Sequence, residues 1–433
     1  MKKLFFILLL ISFSRGSYTQ DYWIHKPSPA VNWLTRIQFV DTLYGWASGD
    51  LGTIINTTNG GLNWNSQNSG IVGYAIDDMF FLNRRLGWAL ANNYYTYRAQ
   101  ILTTTNGGVN WIINEFFDTT QVLHAVYFMD SLTGFLGAFT GPIYKTTNGG
   151  VNWVNTTLDT NYCSLLRLFP KYNINFMNSQ TGFACGGLID MAGIIWKTTD
   201  SGLNWVNYCV APEPFKRIQP LSNGRILAVG GDYDFGANSS TSTNSGNNWA
   251  YNFLNIWGEG RAMAFRTPAE LWVPLAHAQT WGVNLDSGFT TETWFTVPCP
   301  DSTSVYDALF ITPTFGWACG TSGALLKYNS DIIGIQHNGN NVPREYLLFQ
   351  NYPNPFNPVT KIKFSLPFKA GVHSVKLKIY DVLGKEVTTL VNEQLRAGTY
   401  DVDWDASEYS SGVYYYKLTA GDFTQTKKMV ILK

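Results

Sequence analysis

Charged side chains recur at one position in the repeats of this chain. When the first predicted strand of each repeat is aligned on an apolar residue (Phe39, Phe81, Phe128, Phe176, Pro220, Phe265 and Phe310), one column contains Arg36, Asp78, Ala125, Asn173, Arg217, Ala262 and Asp307. Buried arginines and aspartates are costly unless they pair or face water. Arg36, Asp78, Arg217 and Asp307 are therefore candidates for a binding centre where these strands converge. A structural ring of ion pairs is the alternative explanation.

Tyrosines mark a second candidate region, in loops of uneven length. The second repeat inserts residues 92–98 between its second and third strands, and this segment contains Tyr94, Tyr95 and Tyr97. The same connection is longer at 188–193 and at 231–236, where Tyr233 lies, and residues 161–172 extend the approach to the fourth repeat. Tyrosines at a rim offer amphipathic rings to sugars or proteins. Drift in surface loops explains the same pattern.

Other catalytic and metal-binding patterns are absent from the sequence. The five histidines are scattered without ligand spacing, and neither a Gly-Lys-Ser/Thr phosphate loop nor a Gly-x-Ser-x-Gly elbow occurs. The five cysteines include no Cys-x-x-Cys pair, so we expect no metal and no cofactor. Export would permit disulfides. Cys163–Cys209 is the preferred bridge, because one residue lies in the loop that enters the fourth repeat and the other in its last strand.

A repeated turn phrase separates the strands that must position these residues. Thr-Thr-Asn-Gly-Gly-x-Asn-Trp occurs at 57–64, 104–111 and 146–153, looser copies occur at 198–205 and 242–249, and a degraded copy begins at Asp286. Asn or Asp followed by Gly supplies the positive-φ residues of a tight hairpin. A period of roughly 45 residues that ends in a turn and a Trp predicts a radial repeat, the β-propeller.

A second marker, Gly followed by an aromatic residue, gives the number of blades. It occurs at 45–46, 87–88, 134–135, 182–183 and 316–317, and related apolar runs at 224–229 and 270–273 bring the number to seven. The last of these repeats leads into no Trp strand, whereas residues 21–26, around Trp23, read like the strand that is missing. We therefore predict seven four-stranded blades over residues 21–330, with the first strand closing the ring.

The turn phrase resembles the Asp-box of the bacterial neuraminidase repeat, Ser-x-Asp-x-Gly-x-Thr-Trp. With the Gly-Trp-Ala-x-Gly and Gly-Thr-Ile-Ile runs at 45–49 and 52–55, it is most similar to the repeats of the photosystem II assembly and stability factor family. This chain departs from the pattern in carrying Asn at the Asp position in four copies. In these families the box is a peripheral structural turn, so the resemblance implies the fold and not a chemistry.

Both ends of the chain carry features typical of export. Two lysines and an apolar run through Phe13 predict a signal peptide over residues 1–20, which is too short to span a membrane. After a linker at 331–345, predicted strands at 360–366, 375–380, 398–404, 412–418 and 424–432 indicate a small β-sandwich over 346–433. We expect an all-β protein: a seven-bladed β-propeller followed by a small β-sandwich, with no transmembrane segment.

The C-terminal segment resembles the type A sorting domain of the type IX secretion system. The similarity lies in NYPNPFNP at 351–358, IYDVLGKEV at 379–387, SGVYY at 411–415 and KKMVILK at 427–433. It implies the type IX secretion machinery as a partner, and display on, or release from, the surface of a Bacteroidetes-like Gram-negative cell. It also argues against a photosynthetic role.

The charge balance excludes one class of partner. Thirty basic and thirty acidic residues cancel, and only 14% of the residues are charged, so there is no basic excess for nucleic acid. The leading hypothesis is an exported, non-catalytic binding or scaffold propeller for an unknown protein or glycan ligand.

The alternative hypothesis is an exo-acting glycoside hydrolase of the sialidase type, because sialidases share the Asp-box propeller. Resemblance to a sialidase implies three carboxylate-binding arginines, a Tyr–Glu nucleophile pair and an acid Asp. Arg36, Arg217 and the out-of-register Arg261 could serve as the arginines. No Glu falls in the aligned column, although Glu259 is near it.

Overall fold

The repeated turn phrase closes its hairpin with its own side chains. In the first copy the Thr57 hydroxyl accepts a hydrogen bond from the Gly61 N–H at 2.9 Å, and Asn59 Oδ1 accepts one from the Asn63 N–H at 3.0 Å. Gly60 and Gly61 have positive φ angles, which glycine adopts without a steric penalty. The first of these bonds recurs at Thr104, Thr146, Thr198 and Ser242. These turns therefore need no ligand to hold them.

The computed structural model describes residues 22–159, 169–286, 288–289, 294–330, 336–337, 346–367, 372–396 and 398–432. In chain order the first strands are β1 (Trp23–Lys26), β2 (Leu34–Phe39), β3 (Gly45–Gly49), β4 (Ile54–Thr57), β5 (Asn65–Gln67), β6 (Ala75–Phe81), β7 (Gly87–Asn93), β8 (Arg98–Thr104), β9 (Ile112–Glu115), β10 (Leu123–Phe128), β11 (Gly134–Ala138), β12 (Ile143–Thr146), β13 (Val154–Asn155), β14 (Thr157–Leu158), β15 (Lys171–Phe176), β16 (Gly182–Leu188), β17 (Ala192–Thr198) and β18 (Asn204–Ala211). They continue as β19 (Phe215–Pro220), β20 (Ile226–Asp232), β21 (Gly236–Ser242), β22 (Ala250–Phe253), β23 (Glu259–Gly260), β24 (Ala264–Thr267), β25 (Glu270–Ala276), β26 (Thr280–Asn284), β27 (Trp294–Pro298), β28 (Val305–Thr312), β29 (Phe315–Gly320) and β30 (Leu325–Tyr328). Short 3-10 turns lie at Asp50–Gly52, Ser222–Gly224, Pro300–Ser302 and Thr321–Gly323.

These strands form the seven sheets of a β-propeller. Blades 1 to 3 are the meanders β2–β5, β6–β9 and β10–β13; blade 4 is β15–β18, with β14 added parallel to β18; blade 5 is β19–β22. In blade 6, β23 and β24 both pair with β25, which is followed by β26 and β27. Blade 7 contains β28, β29 and β30. The predicted seven-bladed propeller is confirmed.

The first strand of the chain completes the last blade. β1 pairs antiparallel with β30, with Trp23 opposite Tyr328 and Lys26 opposite Leu325. Trp23 is fully buried and stacks on Trp281 of blade 6 at 4.7 Å between ring centroids. This pairing gives the seventh sheet its fourth strand, so the predicted closure of the ring is confirmed.

The Gly-aromatic marker joins neighbouring blades. A Cβ atom on Gly45 would lie 2.6 Å from the ring of Phe39, so only glycine lets that ring cover the start of the second strand. The aromatic residue that follows, Trp46, stacks on Phe81 of the next blade at 3.7 Å and donates its indole N–H to the carbonyl of Gly107 at 2.9 Å. Trp88 makes the equivalent contacts with the third blade. The most conspicuous sequence features are therefore structural.

A second compact unit follows the propeller. Its strands are β31 (Gln336–His337), β32 (Leu347–Leu348), β33 (Val359–Leu366), β34 (Val372–Tyr380), β35 (Glu386–Arg396), β36 (Gly398–Asp405), β37 (Gly412–Ala420) and β38 (Phe423–Ile431). One sheet has the order β31-β36-β33-β32 and the other β35-β34-β37-β38. Phe364, Leu377, Trp404 and Tyr416 lie in the buried core. The predicted small β-sandwich is confirmed, and β35 adds an edge strand that was not among the predicted ones.

Three further features bear on the sequence-based expectations. The predicted signal peptide and Cys163 lie outside the described residues. Cys209 is disulfide-bonded, whereas Cys185, Cys299 and Cys319 are free and buried. Within the described ranges, no helix has the length and apolar character needed to cross a bilayer.

Candidate axial binding site

A β-bulge near the start of the first strand re-aims one side chain in most blades. The antiparallel register shifts between Leu34 and Arg36 in β2, and equivalent shifts occur in β6, β10, β15, β19 and β28. In blade 6 the first strand is instead interrupted at 261–263, between β23 and β24. Bulges disrupt the ladder locally and change the direction of a side chain. In each bulge one residue has no partner on the neighbouring strand, as Thr35 in β2. This residue stands one position before the aligned column that contains Arg36.

These re-aimed side chains, one from each blade, line a single cavity of about 180 Å³. A contribution from all seven blades places this cavity at the axis of the ring. Arg36 and Tyr94 line it as well. The seven positions are Thr35, Asp77, His124, Tyr172, Lys216, Arg261 and Tyr306.

One side of the cavity is basic. Lys216 Nζ lies 3.0 Å from one oxygen of the buried Glu259, and Arg261 Nε lies 2.7 Å from the other. Burial acts to raise the pKa of Glu259, but Arg261 and Lys216 outweigh it, and the pKa is lowered. Lys216 stands over the ring of Tyr172 at 3.8 Å and Arg261 over that of Tyr306 at 5.6 Å. Two cations thus share one carboxylate and rest on aromatic faces.

The opposite side of the cavity contains a carboxylate that is already well hydrogen-bonded. Asp77 Oδ2 accepts from Asn92 Nδ2 at 2.7 Å and from the Tyr94 hydroxyl, and His124 Nδ1 lies 3.3 Å away. Burial and the neighbouring Asp77 charge raise the pKa of Tyr94, so its hydroxyl keeps the proton that it donates. This contact brings the inserted loop of blade 2 to the mouth of the cavity.

The aligned column itself forms ion pairs that join blades. Arg36 contacts Asp78 at 2.8 Å, and Arg217 contacts Asp307 at 3.1 Å. Both carboxylates also accept a backbone N–H from the next blade around the ring: Asp78 from Val126 at 2.8 Å, and Asp307 from Ile37 at 3.0 Å. This geometry fits the ion-pair explanation for Asp78, Arg217 and Asp307. Arg36 belongs to both groups, because it also lines the cavity.

The four candidate tyrosines occupy three different environments. Tyr94 lines the cavity, whereas Tyr95 and Tyr97 point to solvent, with 96% and 58% of their surface exposed. Tyr233 is half exposed and contacts Trp257 and His277, away from the cavity lining. The structure therefore brings together Tyr94 and Arg36 and leaves the other three tyrosines outside the cavity.

Tyr172, Lys216 and Tyr306 were not among the predicted site residues. The same sequence alignment contains them, one position earlier than the chosen column. Regular alternation along a strand would place that position on the other face of the sheet, and only the bulge brings it to the axis. Bulges have no sequence signature here that distinguishes these strands from regular ones.

Comparison with known proteins gives the C-terminal segment a family and the propeller a fold. Residues 350–432 match the family model described as the secretion system C-terminal sorting domain. YCF48 bound to D1 peptide is 20% identical, with a TM-score of 0.56 over 71% of this chain and 97% of that chain. YCF48 from Cyanidioschyzon merolae is 18% identical, with a TM-score of 0.57 over 72% of this chain and 100% of that chain.

A third similar structure is the extracellular domain of the hybrid two-component system protein BT3049 from B. thetaiotaomicron. It is 11% identical, with a TM-score of 0.53 over 95% of this chain and 57% of that chain. No curated protein matches the chain by sequence. At these identities the structural matches establish the fold alone. The chain is thus a β-propeller protein that carries a type IX secretion sorting domain at residues 350–432, exported to the cell surface or secreted by a Gram-negative bacterium of the Bacteroidetes.

Proposed function

We propose that the propeller is a non-catalytic binding module whose axial cavity holds a carboxylate of its ligand. The observation that carries this proposal is the charge imbalance at Glu259, where Lys216 and Arg261 share one carboxylate. Within the described ranges, the other N–H groups of these two side chains have no hydrogen-bond partner. A ligand carboxylate would supply the missing acceptor, and charge-assisted bonds of this kind are among the strongest in proteins.

The size of the cavity favours a terminal or side group over a complete small molecule. Sites for drug-sized ligands enclose roughly 300–1,000 Å³, whereas this cavity has about 180 Å³. The ligand is then a larger molecule that inserts one carboxylate, either a peptide or an acidic glycan. YCF48, one of the similar propellers, has been solved bound to a D1 peptide, which supports the peptide as the source.

Exo-acting glycoside hydrolysis is the second candidate, because Arg36, Arg261 and Tyr306 share the cavity. A tyrosine nucleophile needs a carboxylate base to take its proton. Both oxygens of Glu259 are held by cations, and its pKa is lowered, so it is a poor base. Burial also raises the pKa of Tyr306, and Arg261 offsets this only in part. The geometry supports binding better than hydrolysis.

The test is a screen of the full chain against peptide and glycan arrays, followed by affinity measurements on the hits. We expect carboxylate-bearing ligands, and about a tenfold loss of affinity in Arg261→Gln, equivalent to about 1.4 kcal/mol. Arg98→Gln is the matched control, because Arg98 is half exposed and pairs only loosely with Glu115, at 3.7 Å. Binding that is unchanged in Arg261→Gln, or turnover of sialosides by the wild-type chain, would contradict the proposal.

A further inference from the structure

An exposed aromatic group lies on the loops of blades 5 and 6, apart from the axial cavity. Tyr233 follows β20, and its ring meets Trp257 at 5.1 Å and His277 at 5.5 Å, both nearly edge-on. Tyr233 and Trp257 are each half exposed, and Phe235 is 59% exposed. The half-exposed rings of Tyr233 and Trp257 leave part of their surface open to solvent. Aromatic faces attract cations through their negative potential.

Three carboxylates cluster where the loop that carries Tyr233 begins; Asp190 is exposed, and Glu213 and Asp232 are buried. Asp190, Glu213 and Asp232 each place an oxygen within 4.8 Å of the other two. Asp232 precedes Tyr233 in the chain and accepts its backbone N–H. In the part of the chain that the structure describes, none of the three forms a salt bridge. Burial raises the pKa of Glu213, the hydrogen bond from the Asp190 backbone N–H offsets this in part, and the charges of Asp232 and Asp190 raise it further.

The loop that presents Tyr233 is fixed by its backbone. Gly231 and Gly236 have φ angles of 119° and 93°, and a Cβ atom on Gly236 would lie 2.6 Å from the carbonyl oxygen of Ile256. Ala237 N–H donates to that same oxygen at 2.8 Å, which ties the loop to the residue before Trp257. The loop between β20 and β21 is therefore held in place before any ligand arrives, so little ordering entropy of that loop opposes binding.

We propose that this surface binds a lysine or arginine side chain of a partner polypeptide. The cationic head would meet the exposed Asp190 carboxylate and the open aromatic faces, and the exposed side chains of Ile189 and Met191, which flank Asp190, would cover its aliphatic stem. An inorganic cation fits less well, because Ca²⁺ needs about 6–8 oxygen ligands. Both oxygens of Asp232 already accept backbone N–H groups, and Glu213 Oε2 accepts that of Asp190.

The proposal is independent of the axial cavity, and one set of variants tests it. The full chain is titrated with a fluorescein-labelled Gly-Lys-Gly-Lys-Gly-Lys-Gly peptide, and anisotropy gives the affinity. We expect Tyr233→Ala, Trp257→Ala and Asp190→Asn each to weaken binding about tenfold. Tyr233→Phe, which keeps the ring, should stay within about twofold. Tyr95→Ala and Glu115→Gln are matched exposed controls and should change nothing.

Trimethylation of the peptide and competition by Ca²⁺ distinguish a site for a cationic side chain from a site for an inorganic cation. Trimethylation of the peptide lysines should preserve binding if the rings supply the attraction, because a quaternary ammonium keeps its cation–π energy. If Asp190→Asn abolishes binding, the aromatic variants leave it unchanged and Ca²⁺ competes, the surface is an inorganic cation site and the proposal is overturned. Equal binding by all variants overturns it as well. Arg261→Gln should leave this affinity intact, so failure here and failure of the carboxylate site are distinguishable.

Discussion

Asp200 occupies the turn position at which four other copies of the phrase carry Asn. Its oxygens accept from the Thr198 hydroxyl at 2.8 Å, the Asn204 N–H at 3.0 Å and the Asn204 side chain at 2.7 Å. Burial acts to raise the pKa of Asp200, but these bonds outweigh it and lower the pKa to about 2. The Asp200 carboxylate thus accepts the hydrogen bonds that an Asn side-chain oxygen accepts in the other turns. Because a carboxylate can be protonated, this turn is sensitive to acid.

The stability that Asp200 contributes should therefore depend on pH. A carboxyl group whose pKa is lowered by folding stabilises the protein fully above its ordinary pKa, and this contribution is lost as the pH falls towards about 2. Because the turn is at the surface, we expect a loss of about 1 kcal/mol or less. Asp200→Asn should lose correspondingly less stability between pH 5 and pH 2, measured by thermal unfolding. Asp301→Asn, which removes another exposed carboxylate, is the control, and equal losses in all three chains would contradict this assignment.

At the scale of strands, the sequence predicted the regular features well and the irregular ones poorly. Periodic glycines and aromatics defined the blades, and in the sandwich the strand predicted at 360–366 is β33 (Val359–Leu366). The bulge that turns Lys216 and Tyr306 to the axis was not predictable, because it depends on pairing and not on composition. β35 was missed because it is an edge strand whose residues are mostly polar. The contact between Arg217 and Asp307, from blades 5 and 7, also needs the closed ring.

Strand β1, which completes blade 7 and closes the ring, should contribute a large share of the stability of the propeller. Trp23 is 1% exposed and contacts Trp272, Trp281 and Phe310. We expect Trp23→Ala to cost about 3–5 kcal/mol, because it leaves a cavity between blades 6 and 7. The half-exposed Trp257 provides the matched control, whose replacement by Ala should cost less than about 1 kcal/mol. Similar melting temperatures for the two variants would show that β1 contributes little to the stability of the propeller.

For the whole molecule, the sorting domain should determine the destination and not the fold of the propeller. The propeller strands β1–β30 pair among themselves, and the sandwich has its own buried core. Deletion of residues 346–433 should therefore leave a folded propeller that stays in the periplasm, detected by cell fractionation and by protection from added protease. As a control, residues 346–433 fused to an exported reporter should bring that reporter to the surface or the medium. A truncated chain that still reaches the surface would refute this division of roles.

The pairing of β1 with β30 also decides how the propeller comes apart. An open array of repeats frays from its terminal units, because each end repeat has only one neighbour. Here one set of backbone hydrogen bonds joins residues about 300 positions apart, at a closure entropy that grows only with the logarithm of that separation. Every blade then has two neighbours, and none can melt without breaking two interfaces. The ring should consequently unfold as one cooperative unit, and partial unfolding should be suppressed for as long as β1 stays paired with β30.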